Sequence, residues 1–132
     1  MRINLSIDIE DATRQALSDH IQESVYCLPL PESLSIPCVS ISCTGGDSID
    51  TIDTFQVSLD SRAELEEDAL ELLRRSIGIL QAVAKQSNTP IRTVKINALF
   101  SWGQDPARPD LAMCGATLLI TAHQTTMEIE ES

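Results

Sequence analysis

One stretch constrains this chain more than any other. Leu65, Ala69, Leu72, Leu73, Ile77, Leu80 and Val83 recur at the three- and four-residue steps of a single helical stripe. Ser61-Arg62-Ala63-Glu64 ahead of them fits a capping box, and Asn88-Thr89-Pro90 stops the helix. Glu64, Glu66, Glu67, Asp68 and Glu71 crowd the first half, while Arg74, Arg75 and Lys85 fall later, an order that suits the helix dipole. Glu71 and Arg75 make an i,i+4 pair. These roles account for the charges, so the acidic run is not read as a catalytic cluster. A one-sided stripe has to be covered, and the segments on either side of it alternate with period two. Together they predict a helix lying on a sheet.

The flanking segments supply that sheet. Arg2 to Ile9 alternates, with Ile3, Leu5, Ile7 and Ile9 facing inward. A helix follows from Glu10 to about Val25, built on Ala12, Ala16, Leu17, His20, Ile21 and Val25 and capped by Asp8 or Asp11. Pro29 and Pro31 end it and open a loop to about Leu34. Ile36 to Cys43 reads as a strand led by Pro37, and Thr44-Gly45-Gly46-Asp47-Ser48 as a turn-rich break. From about Thr51 to Leu59 a second strand places Phe55, Val57 and Leu59 opposite Ile52, Thr54, Gln56 and Ser58; the two strands should pair antiparallel. After the long helix, Ile91 to Trp102 is a strand with Ile91, Thr93 and Lys95 opposing Arg92, Val94 and Ile96. Gly103 to Asp110 is a polar, proline-containing loop, and Leu111 to Thr121 or His123 the last strand. The acidic tail over 126–132 reads as a loose end. The order is β-α-β-β-α-β-β: an α+β fold in one domain over 1–132, its mixed or mainly antiparallel sheet covered on one face by the long second helix.

Composition then narrows function. With 132 residues, the chain can bury roughly two thirds of its unfolded surface and needs no disulfide or metal staple. A net charge of −11 argues against a broad basic surface for nucleic acid, and 3% aromatic content against a base-stacking platform. No apolar run approaches the roughly 20 residues that span a bilayer, and the start does not read as a secretory signal. The chain is expected in the cytosol or in a particle assembled there. Cys27, Cys38, Cys43 and Cys114 form no C-x-x-C pair and are expected as reduced thiols. His20 and His123 lie far apart, and no phosphate loop, G-x-S-x-G or H-E-x-x-H is present. Asp47, Asp50 and Asp53 are spaced by three around a turn but lack the ligand order of a calcium loop, so they read as a solvated acidic loop. Asp105 and Asp110 flank Arg108, which suggests an ion pair rather than general acid–base chemistry. No catalytic residue, metal or cofactor is expected.

Charge is uneven along the chain. Residues 1–61 hold two basic and ten acidic residues, a net of −8; the remainder nets −3. Complementary faces of this kind suit a ring closed by heterologous contacts, and they equally suit docking on a basic partner or simple solubility. The sequence from about Ile36 onward resembles the tail terminator proteins of long-tailed bacteriophages. The likeness rests on Ile36-Pro37-Cys38-Val39-Ser40-Ile41 ending in Thr44-Gly45, a strand from Thr54 to Leu59 running into a long helix, and closing strands ending in Ala116-Thr117-Leu118-Leu119-Ile120-Thr121. It covers about two thirds of the chain.

The resemblance implies a non-enzymatic virion protein in the virion or host cytoplasm. Such a subunit forms a ring-like homo-oligomer such as a hexamer, caps the tail tube and joins it to the head connector. It touches neither membrane nor nucleic acid directly. The protein-binding candidates are Asp47, Asp50 and Asp53 on one edge and Lys95, Gln104, Asp105, Arg108 and Asp110 on another, with Trp102 as a subunit anchor. The alternative is an acidic phage-type inhibitor that binds a basic, nucleic-acid-binding host defence complex by charge mimicry. Two further classes are weaker. One is a ribbon–helix DNA reader using Arg2, Asn4 and Ser6, which the acidity opposes. The other is a small enzyme with its site shared between subunits around His20, Cys27 or Asp105.

Overall fold

Asp8 begins the first helix as expected: its Oδ1 accepts the Asp11 amide at 3.1 Å. That contact belongs to a computed structural model describing residues 1–105 and 107–130. In chain order the elements are β1 (Arg2–Leu5), α1 (Ile9–Ser18), β2 (Ser24–Cys27), β3 (Cys38–Ile49), β4 (Ile52–Ala63), α2 (Glu66–Val83), β5 (Ile91–Asp105), β6 (Arg108–His123) and β7 (Thr125–Glu128). A five-stranded sheet runs β2-β3-β4-β6-β5, and a separate two-stranded sheet joins β1 to β7. All pairings are antiparallel except β2 with β3. The fold is α+β and mostly antiparallel, in broad agreement with the sequence.

Both helices pack on one face of the large sheet. Its inner face carries Val39, Ile41, Val57, Leu59, Leu118 and Ile120, which close against Leu72, Leu73, Ile77 and Leu80 of α2 and Ile9 and Leu17 of α1. Each large side chain buried there contributes about 1.5–3 kcal/mol. Phe55, Val57 and Leu59 share that face, as their alternation requires.

Several boundaries differ, each for a physical reason. The expected strand from Arg2 to Ile9 stops at Leu5, because Asp8 caps α1 and Ile9 is already helical. The first helix stops at Ser18 rather than near Val25. Ser24–Cys27 lies parallel to Cys38–Ile41, so a sheet ladder takes residues that helical spacing had claimed. Thr44–Ser48 does not break the strand. The register shift between Cys43 and Gly45 leaves Thr44 as a bulge, Gly45 and Gly46 pair with Gln56 and Phe55, and β3 continues to Ile49. At Gly46 a Cβ would meet the Thr54 carbonyl oxygen at 2.2 Å, so this close approach demands glycine. The chain turns instead at Asp50, whose φ is +58°.

The capping box does not form. Ser61 lies buried inside β4, and its hydroxyl donates to the Ala69 carbonyl at 2.6 Å. Pairing of Ser61 with Cys114 and of Ala63 with Ala112 extends the ladder past the expected cap, so Leu65 takes the N-cap position with no side-chain bond. The polar loop over Gly103–Asp110 is mostly strand: β5 runs to Asp105 and β6 starts at Arg108, opposite it. The tail is tied as well, since Thr125–Glu128 pairs with β1. Residues 131 and 132 lie outside the described residues.

Candidate functional site

The sheet order leaves β5 on an edge. It is fifteen residues long and hydrogen-bonds only to β6. The opposite edge, β2, has four residues. Of β5, only Ile91 is buried, with Val94 and Asp105 half-buried. Ile96 is 41% exposed, Leu99 57%, Phe100 37% and Trp102 49%. Ile96 lies opposite Leu118 and Trp102 opposite Cys114, both core residues, so the two side chains stand on the helix-covered face of the sheet but remain open to solvent. Register shifts at Ile91/Thr93, Ile96/Ala98, Ala98/Ser101 and Gly103/Asp105 break the expected alternation. The first of them puts Ile91 on the face of Val94, not of Thr93 and Lys95.

Sequence candidates on this side share the β5–β6 hairpin but not one face of it: Lys95 stands on the face away from the helices and Trp102 on the helix-covered face. Lys95 is exposed opposite Leu119, and Trp102, Gln104 and Asp105 follow on the same strand. Gln104 Nε2 donates to the Pro109 carbonyl at 3.0 Å across the hairpin end. Arg108 Nε and Nη2 reach Asp110 Oδ1 and Oδ2, each at 3.1 Å; this pair holds the Arg108 guanidinium above its ordinary range and the Asp110 carboxyl below its own. Asp105 does not share that pair. Its Oδ2 accepts from Arg62 Nε at 3.2 Å, and its Oδ1 from the Ala107 amide at 2.9 Å. The side chains of Arg62 and Asp105 are only 8% and 15% exposed, and Arg62 Nη1 also donates to Ser40 Oγ at 2.8 Å.

Arg62, Ser40 and Asp60 were missed by sequence reasoning. They lie on the sheet face away from the helices, opposite Met113, Asp60 and Gly115 on neighbouring strands. Burial pushes the Asp60 carboxyl above its ordinary value, and nearby Arg62 offsets part of that. Ile96, Leu99 and Phe100, exposed along this edge, were missed as well, although consecutive Ala98-Leu99-Phe100 cannot all face inward on a strand.

The acidic triplet divides. Asp47 and Asp50 are exposed near the β3–β4 turn. Asp53 is not a solvated loop residue: it is 3% exposed, inside β4 opposite Ala122, which corrects its assignment to the acidic surface. Gln124 Nε2 donates to its Oδ1 at 2.9 Å, and hydroxyls of Ser6 and Ser48 help hold its carboxyl below the ordinary range.

The four cysteines are free thiols, and burial pushes Cys27, Cys38 and Cys114 up, away from thiolate. His20 and His123 are both exposed. Among the described residues no three His, Cys, Asp or Glu side chains gather as a metal site, and no helix is long and apolar enough to cross a membrane. What the arrangement offers is an unpaired strand edge with a row of apolar side chains, ended by a pinned hairpin. No protein-family model matches the chain, and no curated protein matches it.

Proposed function

We propose that this chain is a non-enzymatic assembly subunit that docks on protein through the β5 edge, acting as the tail terminators it resembles do: ringing the end of a tail tube, stopping its growth and offering a surface to the head connector. One observation carries the reading. Fifteen residues of edge strand expose Ile96, Leu99, Phe100 and Trp102 with no strand beyond them among the described residues. Edge strands in proteins that work alone are shortened, covered, or blunted by proline, lysine and bulges; β5 carries bulges and the cations Arg92 and Lys95 near its start, but it is long, contains no proline, and has no charge over 96–102. An open edge of this kind takes up a strand of a partner, with main-chain bonds giving affinity and the side-chain row giving selectivity.

The acidic-inhibitor alternative draws less support. Asp11, Glu23, Glu71, Asp105, Asp110 and Glu128 are engaged by arginines of the same chain.

The test is electron microscopy of tail tubes grown from the tube protein of the same virus, with and without this chain. Tubes of fixed length decorated at one end are expected. A Phe100→Ser/Trp102→Ser variant should leave tube growth unchecked. Undecorated tubes of unchanged length with the wild-type chain would refute the reading.

A further inference from the structure

The β5 edge has a counterpart elsewhere in the same chain. β2 pairs only with residues 38–41 of β3. The far half of β3, residues 45–49, therefore has β4 on one side and no strand on the other among the described residues. All of 44–50 is exposed. This open stretch carries Asp47 and runs into the turn at Asp50, and neither acid has an ion-pair partner among the described residues. The start of β5 carries the opposite charge. Lys85, just past α2, lines a groove of about 510 Å³ with Arg92 and Lys95 of β5. All three are exposed, and none is ion-paired among the described residues. A chain with nine basic residues and a net charge of −11 thus gathers three unpaired cations at one edge.

The two edges match in direction and level as well as in charge. β3, β4, β6 and β5 alternate in direction, so β3 and β5 run opposite ways. A neighbouring copy turned only about the strand direction lays its β3 antiparallel to β5, with the helices of both copies on one side. Asp47, Thr54, Thr121 and Thr93 form one cross-strand row on the face away from the helices. At equal height Asp47 of the next copy stands beside Thr93, with Arg92 and Lys95 within diagonal reach and Asp50 at the mouth of the groove. Within one chain that row spans three strand spacings, roughly 14 Å, so Asp47 does not reach the cations of its own chain.

The contact has a natural end. Thr93 to Ile96 pairs with β6 without a shift, which gives a regular ladder. Farther along, β2 occupies β3 up to Ile41, and Glu10 Oε2 accepts the Cys43 amide at 2.7 Å. The shifts at Ile96/Ala98 and Ala98/Ser101 fall where β5 has to part from the ladder, and they leave Leu99, Phe100 and Trp102 to the target.

We propose that the start of β5 takes up the far half of β3 of a second copy, antiparallel, joining Arg92 and Lys95 to Asp47 and Asp50 head to tail in a closed ring. The inference rests on the docking reading above and divides its edge: one stretch of β5 builds the ring, the next meets the tube. Repeated around the ring, this contact leaves neither edge open.

Charge exchange tests it. Light scattering at micromolar concentration should give the wild type one fixed mass of three or more chains, in an assembly that weakens as salt rises. Lys95→Asp and Asp47→Lys should each weaken self-association at least tenfold with an unchanged circular dichroism spectrum. Mixing the two variants should restore the wild-type mass, because each offers the charge the other lacks. K95D/D47K in one chain should restore it too. Arg74→Asp, at an exposed cation of α2, should leave the mass unchanged. A wild type of one or two chains, open-ended growth with concentration, or no rescue by mixing or by the double exchange overturns the ring contact. The Phe100→Ser/Trp102→Ser variant should keep the wild-type mass while losing tube capping; loss of both overturns the division of β5. Capping by single chains removes the ring contact and leaves the docking reading standing. Charge-dependent rings that cap no tube do the reverse.

Discussion

Removing the carboxylate of Asp105 should be among the most damaging conservative changes in the chain. Asp105→Asn keeps the shape and leaves the Arg62 guanidinium, 8% exposed, without its charge partner. At 3.2 Å the Coulomb attraction is about 5 kcal/mol for an effective dielectric of 20. Water reaches the 15% of Asp105 that is exposed, and Asp60 supplies a second negative charge near Arg62, so part of that is recovered. The expected loss is about 3 kcal/mol, the lower end of the range for breaking a buried pair from one side. Arg62→Leu should cost less, because the Asp105 left behind is nearer to water and still accepts the Ala107 amide. The double variant should fall close to Arg62→Leu alone, since no unpaired cation remains. Urea unfolding followed by circular dichroism gives all three values. An Asp105→Asn cost below about 1 kcal/mol, or additive effects in the double variant, would refute the claim that this pair is buried and coupled.

Three further changes have defined outcomes. Asp60 has a folded-state pKa above its ordinary value, so the folded chain binds a proton there more readily than the unfolded chain, and its contribution to stability falls as pH rises through that window. Asp60→Asn should therefore raise Tm at neutral pH, with the gain shrinking in acid; a gain constant with pH would contradict it. Asp53 behaves oppositely: its lowered pKa gives stability that is present above the ordinary carboxylate value and lost as pH falls through the folded value. Asp53→Asn should flatten that acid limb in pH-resolved urea titrations, and an unchanged limb would reject the role given to Ser6, Ser48 and Gln124. At Gly115 a Cβ would stand 2.5 Å from Asp60 Oδ1. Gly115→Ala should cost about 1 kcal/mol by displacing that carboxyl. The cost should disappear in an Asp60→Ser background, as thermal melts of the four variants would show.

The legible parts of this fold are those where one period dominates. The α2 stripe was legible because its buried positions, Ala69, Leu72, Leu73, Ile77, Leu80 and Val83, answer to one helical face. The Asp8 cap was legible because it acts over three residues. Misread segments are those where a distant partner decides. Val25 has helical spacing, yet Val39 claims it for a strand. Ser61 and Glu64 match a cap, yet pairing with β6 draws Ser61 into the sheet. Gly45 and Gly46 signal a turn in isolation; they stay in the strand because Gln56 and Phe55 stand opposite them, and the bulge falls at Thr44. The site follows the same division. Lys95, Trp102, Gln104 and Asp105 could be chosen as exposed strand-end groups, but nothing local tells that β6 enters between β4 and β5 and leaves β5 outermost. The pairing of Asp105 with Arg62, forty-three residues earlier, is equally non-local.

That non-local pair and the open edge are physically connected. A docking strand that flexes must lose conformational freedom when its partner binds, and each ordered residue costs about 1–2 kcal/mol. β5 extends along β6 past the last residue that β4 pairs, Ala112 on β6, so its far end lacks the support of a third strand. Arg62 reaches from β4 to Asp105 at that end, Ser40 on β3 fixes the other side of the guanidinium, and Arg108 with Asp110 stiffens the turn-proximal strand. Arg62 and Ser40, on the sheet face away from the helices, thus anchor the far end of the strand proposed to dock. A partner then meets an edge already close to its bound shape, and less of the contact energy goes into ordering it. On this argument Asp105→Asn should weaken binding at the β5 edge even at temperatures where the variant remains folded; decoration of tube ends equal to that of the wild type in electron micrographs at such a temperature would refute it.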